Sequence, residues 1–179
     1  MVYVLLANGF EETEAIAPID MLLRAGVEVV TVGIGTPMPC GAHGIAVQAD
    51  ITEDAVTTDG LQGVVLPGGM PGTTNLEASE TVQKLLDYAA ENGLVIGAIC
   101  AAPSVLGHKG LLDGRRYTCY PGFETAAGAC GEPAVRDGHI VTGKGAGTAL
   151  AFGAKLIEAL CGSEKAAAVQ SAMQCTEIV

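Results

Sequence analysis

The sequence predicts an α/β fold, a mostly parallel sheet with helices on both faces in a three-layer sandwich. Two observations predict it. Short β-branched runs alternate with helix-length stretches along the chain, the signature of repeated strand–helix units. The composition is 49% hydrophobic with 25 glycines and no tryptophan, which supplies the small, aliphatic side chains that let helices close on a sheet and excludes a disordered chain. A length of 179 residues suits one domain, residues 1–179, with a full core.

Residues 2–7 read as a buried strand broken by Asn8-Gly9. Residues 11–25 read as a helix stopped by Gly26, and 27–32 as the next strand. Short, polar-flanked runs at 45–47 and around Ile51 predict an edge hairpin. Residues 63–66 form a strand ended by Pro67-Gly68-Gly69, and Ser79 caps a helix over 79–92 that Gly93 closes. A strand over 94–99 passes at once into a helix over 101–107. A short strand near Tyr117, a strand pair at 134–135 and 139–142, and helices over 148–160 and 164–173 complete the chain. In open parallel sheets the ligand crevice lies at the carboxyl ends of the strands. The loops 8–14, 67–72 and 100–103 converge there.

Nine basic and 20 acidic residues give a formal charge of −11, which repels phosphate backbones and anionic membrane surfaces. Nucleic acid and membrane are therefore not expected partners, and Lys109, Arg115 and Arg116 read as a solvated basic turn. With no secretory signal or membrane span visible, the expected compartment is the cytoplasm. The six cysteines then read as thiols, and their positions contain no CxxC pair and no zinc-ligand spacing. The stretch Gly138 to Lys144 mimics a phosphate loop, but position 145 is Gly rather than Ser or Thr.

Cys100 stands apart. It falls where a buried strand ends and a helix begins, with small Ala98 and Ala102 two positions to either side, as a nucleophile elbow requires. Pro103 suits a first helical turn, and the N-terminal end of a helix lowers a thiol pKa. A packed core cysteine is the competing reading. The Pro67-Gly68-Gly69 turn lets backbone N–H groups approach a ligand, or is a plain tight turn. Glu11 and Glu12 fit the favourable dipole of a first helical turn. Glu14 opens an inward series with Pro18, Met21 and Ala25, where burial favours a protonated carboxyl able to donate to a thiolate.

These segments together resemble the ThiJ/PfpI superfamily, in the branch of the Parkinson-disease protein (protein deglycase). The matching stretches are Gly-Phe-Glu-Glu-Thr-Glu (9–14), Leu-Pro-Gly-Gly (66–69), Ala-Ile-Cys-Ala-Ala-Pro (98–103) and Gly-Ala-Gly-Thr (145–148), in order along nearly the whole chain. The resemblance implies a flavodoxin-like sandwich and a homodimer. It implies that Cys100 is the reactive cysteine, Glu14 its protonated partner, and the backbone amides of Gly69 and Ala101 the oxyanion donors. Gly68, Tyr120 and His43 are further candidate pocket residues. The sequence departs from the family pattern twice. Tyr120 stands where many members carry a histidine beside the cysteine, and His43 stands where the branch often has an arginine.

The function implied is a cysteine-dependent, cofactor-independent enzyme of the glyoxalase or deglycase type, acting on small α-oxoaldehydes or glycated adducts in stress protection, with no metal. The alternative is a redox sensor or stress chaperone working through oxidation of Cys100, since an accessible low-pKa thiol climbs readily to sulfenic and sulfinic acid. A peptidase or amidase is disfavoured, because a phenol is no ready base at neutral pH and amide cleavage needs a proton for the leaving amine. Cys119 reads as a packed thiol, with a resolving partner for Cys100 as the other reading.

Overall fold

The computed structural model describes residues 1–175, and the last four residues of the single-domain expectation, 176–179, lie outside them. Seven strands form one sheet: β1 (Val2–Ala7), β2 (Val29–Ile34), β3 (Ile51–Thr52), β4 (Gly63–Leu66), β5 (Val95–Ile99), β6 (Ala134–Asp137) and β7 (Ile140–Gly143). Their order is β3-β2-β1-β4-β5-β7-β6, and every pairing is parallel except the β6–β7 hairpin. β1 lies near the centre with all six residues buried, which explains an apolar run without alternation.

The helices divide between the two faces. α2 (Gly72–Ala78), α3 (Glu80–Glu91) and α4 (Pro103–His108) send Leu76, Val82, Leu86, Val105 and Leu106 into one core with Leu5, Val64 and Ile96. α1 (Glu12–Arg24), α5 (Ala149–Cys161) and α6 (Ser163–Ala172) send Met21, Leu22, Phe152, Leu156 and Val169 into the other, against Val4, Leu6, Val65 and Ile99. Alternate residues of one strand thus serve opposite cores, as a strand period of two dictates. This is the expected flavodoxin-like three-layer sandwich. Ser79 caps α3 by accepting from the Val82 N–H at 3.3 Å.

The structure corrects two expected elements and adds one. No hairpin joins 45–47 to 51: Cys40 and Ala46 make one isolated antiparallel bridge, while β3 pairs in parallel with β2. The two-residue β3 leaves Thr31 on β2 without a strand partner on that side. The Asp50 carboxylate stands in, accepting the Thr31 N–H at 2.8 Å and hydroxyl at 2.6 Å. The strand near Tyr117 is a single bridge to Ala129; the loop winds round the buried Tyr117 hydroxyl, which donates to Ala126 O and accepts from the Thr125 and Ala126 N–H groups. Helix α2 has no sequence signal. Its Gly-Thr-Thr-Asn start has poor helix propensity, and the buried Leu76 and the bond from Thr73 N to Gly69 O hold it instead.

Candidate active site

β5 ends at Ile99, and the chain turns so sharply at Cys100 that this residue takes φ +65°, a left-handed conformation that non-glycine residues seldom adopt. Backbone bonds at both ends fix it. Cys100 N–H donates to Gly143 O at the end of β7 (2.9 Å), and Tyr120 N–H donates to Cys100 O (2.8 Å). The side chain stays partly exposed at the carboxyl end of the sheet. The turn is the strained geometry of a nucleophile elbow.

Glu14 lies in the first turn of α1 with 1% of its surface exposed. Its Oε2 accepts the Gly68 N–H at 2.9 Å, and its carboxyl lies against the Cys100 side chain. Gly68 must be glycine for this approach: a Cβ there would stand 2.6 Å from both Cys100 Cβ and Glu14 Oε2 and 2.8 Å from Ile99 O. The peptides after it are aligned by Glu11 N–H donating to Gly68 O at 2.9 Å. Gly69, at φ +87°, and Ala101 turn their N–H groups to the Cys100 sulfur. The structure therefore brings together Glu14, Gly68, Gly69, Cys100 and Ala101.

Burial is the largest influence on both ionisable groups. It pushes the Glu14 carboxyl up to about 7, against the pull of the Cys100 and Gly68 hydrogen bonds and with help from the Glu11 charge. It pushes the Cys100 thiol up to about 12, with the Glu14 charge and hydrogen bond adding and the Ala101 and Gly69 amides opposing. The sequence pointed to a thiol lowered by a helix N-terminus. Here α4 begins only at Pro103, and burial outweighs the two amides. Facing groups lose protons as a pair. One proton leaves near neutrality, and the second is retained because two anions in contact in a buried site repel. Above about 7 the pair thus carries one negative charge and one proton. These shifts leave that proton on the sulfur at rest, and a thiolate facing two amide donors forms when it passes to the Glu14 carboxylate.

The other candidates lie around this centre. Tyr120 is half exposed, tied to Cys100 through its backbone, with its ring edge-on to Phe123 at 6.4 Å. His43 belongs to a separate cluster: its Nδ1 is 2.9 Å from Glu12 Oε2 and 3.4 Å from Glu11 Oε2. The carboxylates raise the ring's pKa, Glu12 most. Donor atoms of Glu11, Glu12 and His43 lie within 4.8 Å of one another, close enough to bridge a cation, although here they satisfy each other. Cys119 is buried, and burial with the Glu124 charge pushes its thiol up to about 11, the character of a packed cysteine. Sequence reasoning missed Gly143 as the acceptor that fixes Cys100, and it missed the buried partnership of Glu12.

Residues 1–159 match the DJ-1/PfpI family model, and the chain belongs to that family. Among its relatives, "Protein DJ-1 homolog B" of Arabidopsis thaliana is 37% identical over 94% of this chain, which spans only 40% of that plant protein. "Glutathione-independent glyoxalase DJR-1.2" of Caenorhabditis elegans is 34% identical over 87% of this chain and 85% of its own length. The solved structure of oxidized Toxoplasma gondii DJ-1 superposes with a TM-score of 0.91 at 34% identity, over 97% of each chain. No helix among the described residues is long and apolar enough to cross a membrane.

Proposed function

We propose that the protein is a cofactor-independent enzyme that converts small α-oxoaldehydes to hydroxy acids through Cys100, as a glyoxalase or on early glycation adducts. The observation that carries the reading is the partly exposed Cys100 at a strained φ +65° turn with the buried Glu14 carboxyl against it, a pair able to pass one proton between them. The thiolate attacks the aldehyde carbon, an S–C bond forms, and the carbonyl electron pair moves onto oxygen. The Gly69 and Ala101 N–H groups stabilise that oxyanion until Glu14 gives it the proton. Glu14, now a carboxylate, removes the proton from the former aldehyde carbon and returns it to the neighbouring carbon through an enediol, leaving a thioester. Water cleaves the thioester to the hydroxy acid, and one of its protons goes to the Glu14 carboxylate as the thiolate leaves, which restores the starting pair. The sequence is an internal redox exchange, so no external oxidant or reductant enters. The glyoxalase relative from the nematode supports the same class of substrate.

The second reading is redox sensing at the same sulfur, supported by its partial exposure and by the oxidized state of the Toxoplasma relative. A peptidase remains disfavoured with Tyr120 beside Cys100. We further propose that the enzyme is a homodimer, in which the exposed Ile16 and Leu23 of α1 and the nearby Ile45 would be covered. Lactate formation from methylglyoxal by the wild type, abolished in Cys100→Ser, supports the enzyme reading. No lactate, with clean conversion of Cys100 to sulfinate under mild peroxide, supports the sensor instead.

A further inference from the structure

We propose that Glu12 is a positioning residue that holds Glu14 and the Gly69 amide in register with Cys100 by clamping the 40–45 loop to the first turn of α1. The inference rests on the reading that Cys100 is the reactive group. Glu12 is 8% exposed, two residues before Glu14, yet its carboxylate makes a set of bonds of its own. Oε1 accepts the His43 N–H at 2.8 Å and the Ile45 N–H at 3.3 Å, while Oε2 pairs with His43 Nδ1. Gly41 lies so close that a Cβ there would collide with the carboxyl. Burial works against the charge, but the His43 ring and these N–H groups outweigh it and hold Glu12 down at about 2. Neighbouring carboxyls are thus held in opposite states, Glu12 charged and Glu14 ready to keep a proton.

The clamp reaches the reacting atoms through a short strap, residues 9–11. On its outer side the strap is bonded to the loop: Gly9 N–H donates to Cys40 O at 2.8 Å, and Ala42 N–H donates to Phe10 O at 2.7 Å. On its inner side it is bonded to the glycine turn: Glu11 N–H donates to Gly68 O at 2.9 Å, and Gly72 N–H donates to Gly9 O at 3.2 Å. Gly68 in turn donates to Glu14, and the next peptide supplies the Gly69 amide. The strap has no slack at Gly69, where a Cβ would meet Glu11 N at 2.5 Å and Gly9 O at 2.6 Å. Releasing the loop frees one side of the strap, and a misplacement of about 1 Å at reacting groups costs on the order of a hundredfold in rate.

The chemistry of the clamp gives the test its signature. A glutamine at position 12 can still accept the two backbone N–H groups through its amide oxygen, which leaves its NH₂ facing His43 Nδ1. A neutral imidazole can present that nitrogen as an acceptor; a protonated one sets N–H against N–H. Among the described residues of one protomer, the charged groups facing the ring are Glu11 and Glu12, both from the start of α1. Iodoacetamide alkylation of Cys100, read by mass spectrometry, and methylglyoxal turnover are measured for wild type, Glu12→Ala, Glu12→Gln and the Glu12→Gln/His43→Ala double variant, at about pH 5.5 and about pH 8.5. Glu12→Ala loses at least about tenfold in turnover at both pH values. Glu12→Gln stays within about threefold of wild type at the higher pH and falls at least a further tenfold relative to wild type at the lower one, and the double variant loses that pH difference. Alkylation follows the same order. Should Glu12→Ala fail to fold, Glu12→Gln carries the test. Glu12→Gln matching wild type at both pH values in both assays overturns the proposal. A wild type that makes no lactate, with the alkylation pattern as expected, overturns the enzyme reading and leaves the clamp standing.

Discussion

Replacing Gly68 by alanine puts one methyl group into the space where the proton-sharing pair meets. The new Cβ would stand 2.6 Å from Cys100 Cβ and from Glu14 Oε2, and 2.8 Å from Ile99 O. Carbon atoms rest about 3.5–4.0 Å apart, so the overlap is on the order of 1 Å. Two of the three neighbours cannot give. Ile99 O belongs to a central strand paired in register with Gly143, and Cys100 is held at both backbone ends. The Glu14 carboxyl must therefore move, and it loses the 2.9 Å bond from Gly68 N–H and its contact with the sulfur. Overpacking costs about 1–3 kcal/mol, and a buried donor left without its acceptor about 1–3 kcal/mol more. Gly68→Ala is thus expected to lose about 2–6 kcal/mol in a denaturant titration at unchanged slope, and its rate of Cys100 alkylation near neutral pH should fall sharply. Gly147→Ala is the control, because its Cβ meets nothing within 4 Å. A Gly68→Ala protein within about 0.5 kcal/mol of wild type, with the wild-type alkylation profile, would refute the packing argument.

The raised carboxyl predicts a pH dependence of stability. The Glu14 pKa of about 7 in the fold lies above its ordinary 4.5, so between those values the native state binds more protons than the unfolded chain. Stability contributed by Glu14 is therefore full below about 4.5 and lost as pH rises through about 7, to the extent of about 3 kcal/mol. Urea titrations across this range should show that decline in wild type and not in Glu14→Gln; an equal slope in both contradicts it. At the sheet edge, Asp50→Ala leaves the nearly buried Thr31 N–H and hydroxyl without their carboxylate and should cost about 1.5–3 kcal/mol in the same assay. A change below about 0.5 kcal/mol would mean that water replaces it.

Much of the centre of the molecule was legible because its signals are local. The runs at β1, β4 and β5 are short, apolar and closed by glycine, proline or the cysteine turn, so both strand and terminus could be placed. Glu14, Pro18 and Met21 share a helix face, and the structure buries all three. The periphery was not legible, because it is held by partners far along the chain. Glu12 looks like any first-turn acid, and its burial comes from a loop some 31 to 33 residues away. Helix α2 has the composition of a loop and is formed by what it packs on. The stretch near Tyr117 reads as strand, but its buried hydroxyl gathers the backbone groups of Thr125 and Ala126 into a loop instead. The thiol's ionisation was read from the helix terminus and a donating Glu14, whereas burial depends on every element that closes over it.

The most direct test is the alkylation rate of Cys100 against pH, in wild type and in Glu14→Gln, with the modified residue identified by mass spectrometry. One shared proton predicts a rate in the wild type that rises through a midpoint near 7, and the loss of that midpoint when position 14 can no longer titrate. A midpoint at about 8.5, the value of a free thiol, and the same in both proteins, would mean that the sulfur and the carboxyl ionise independently.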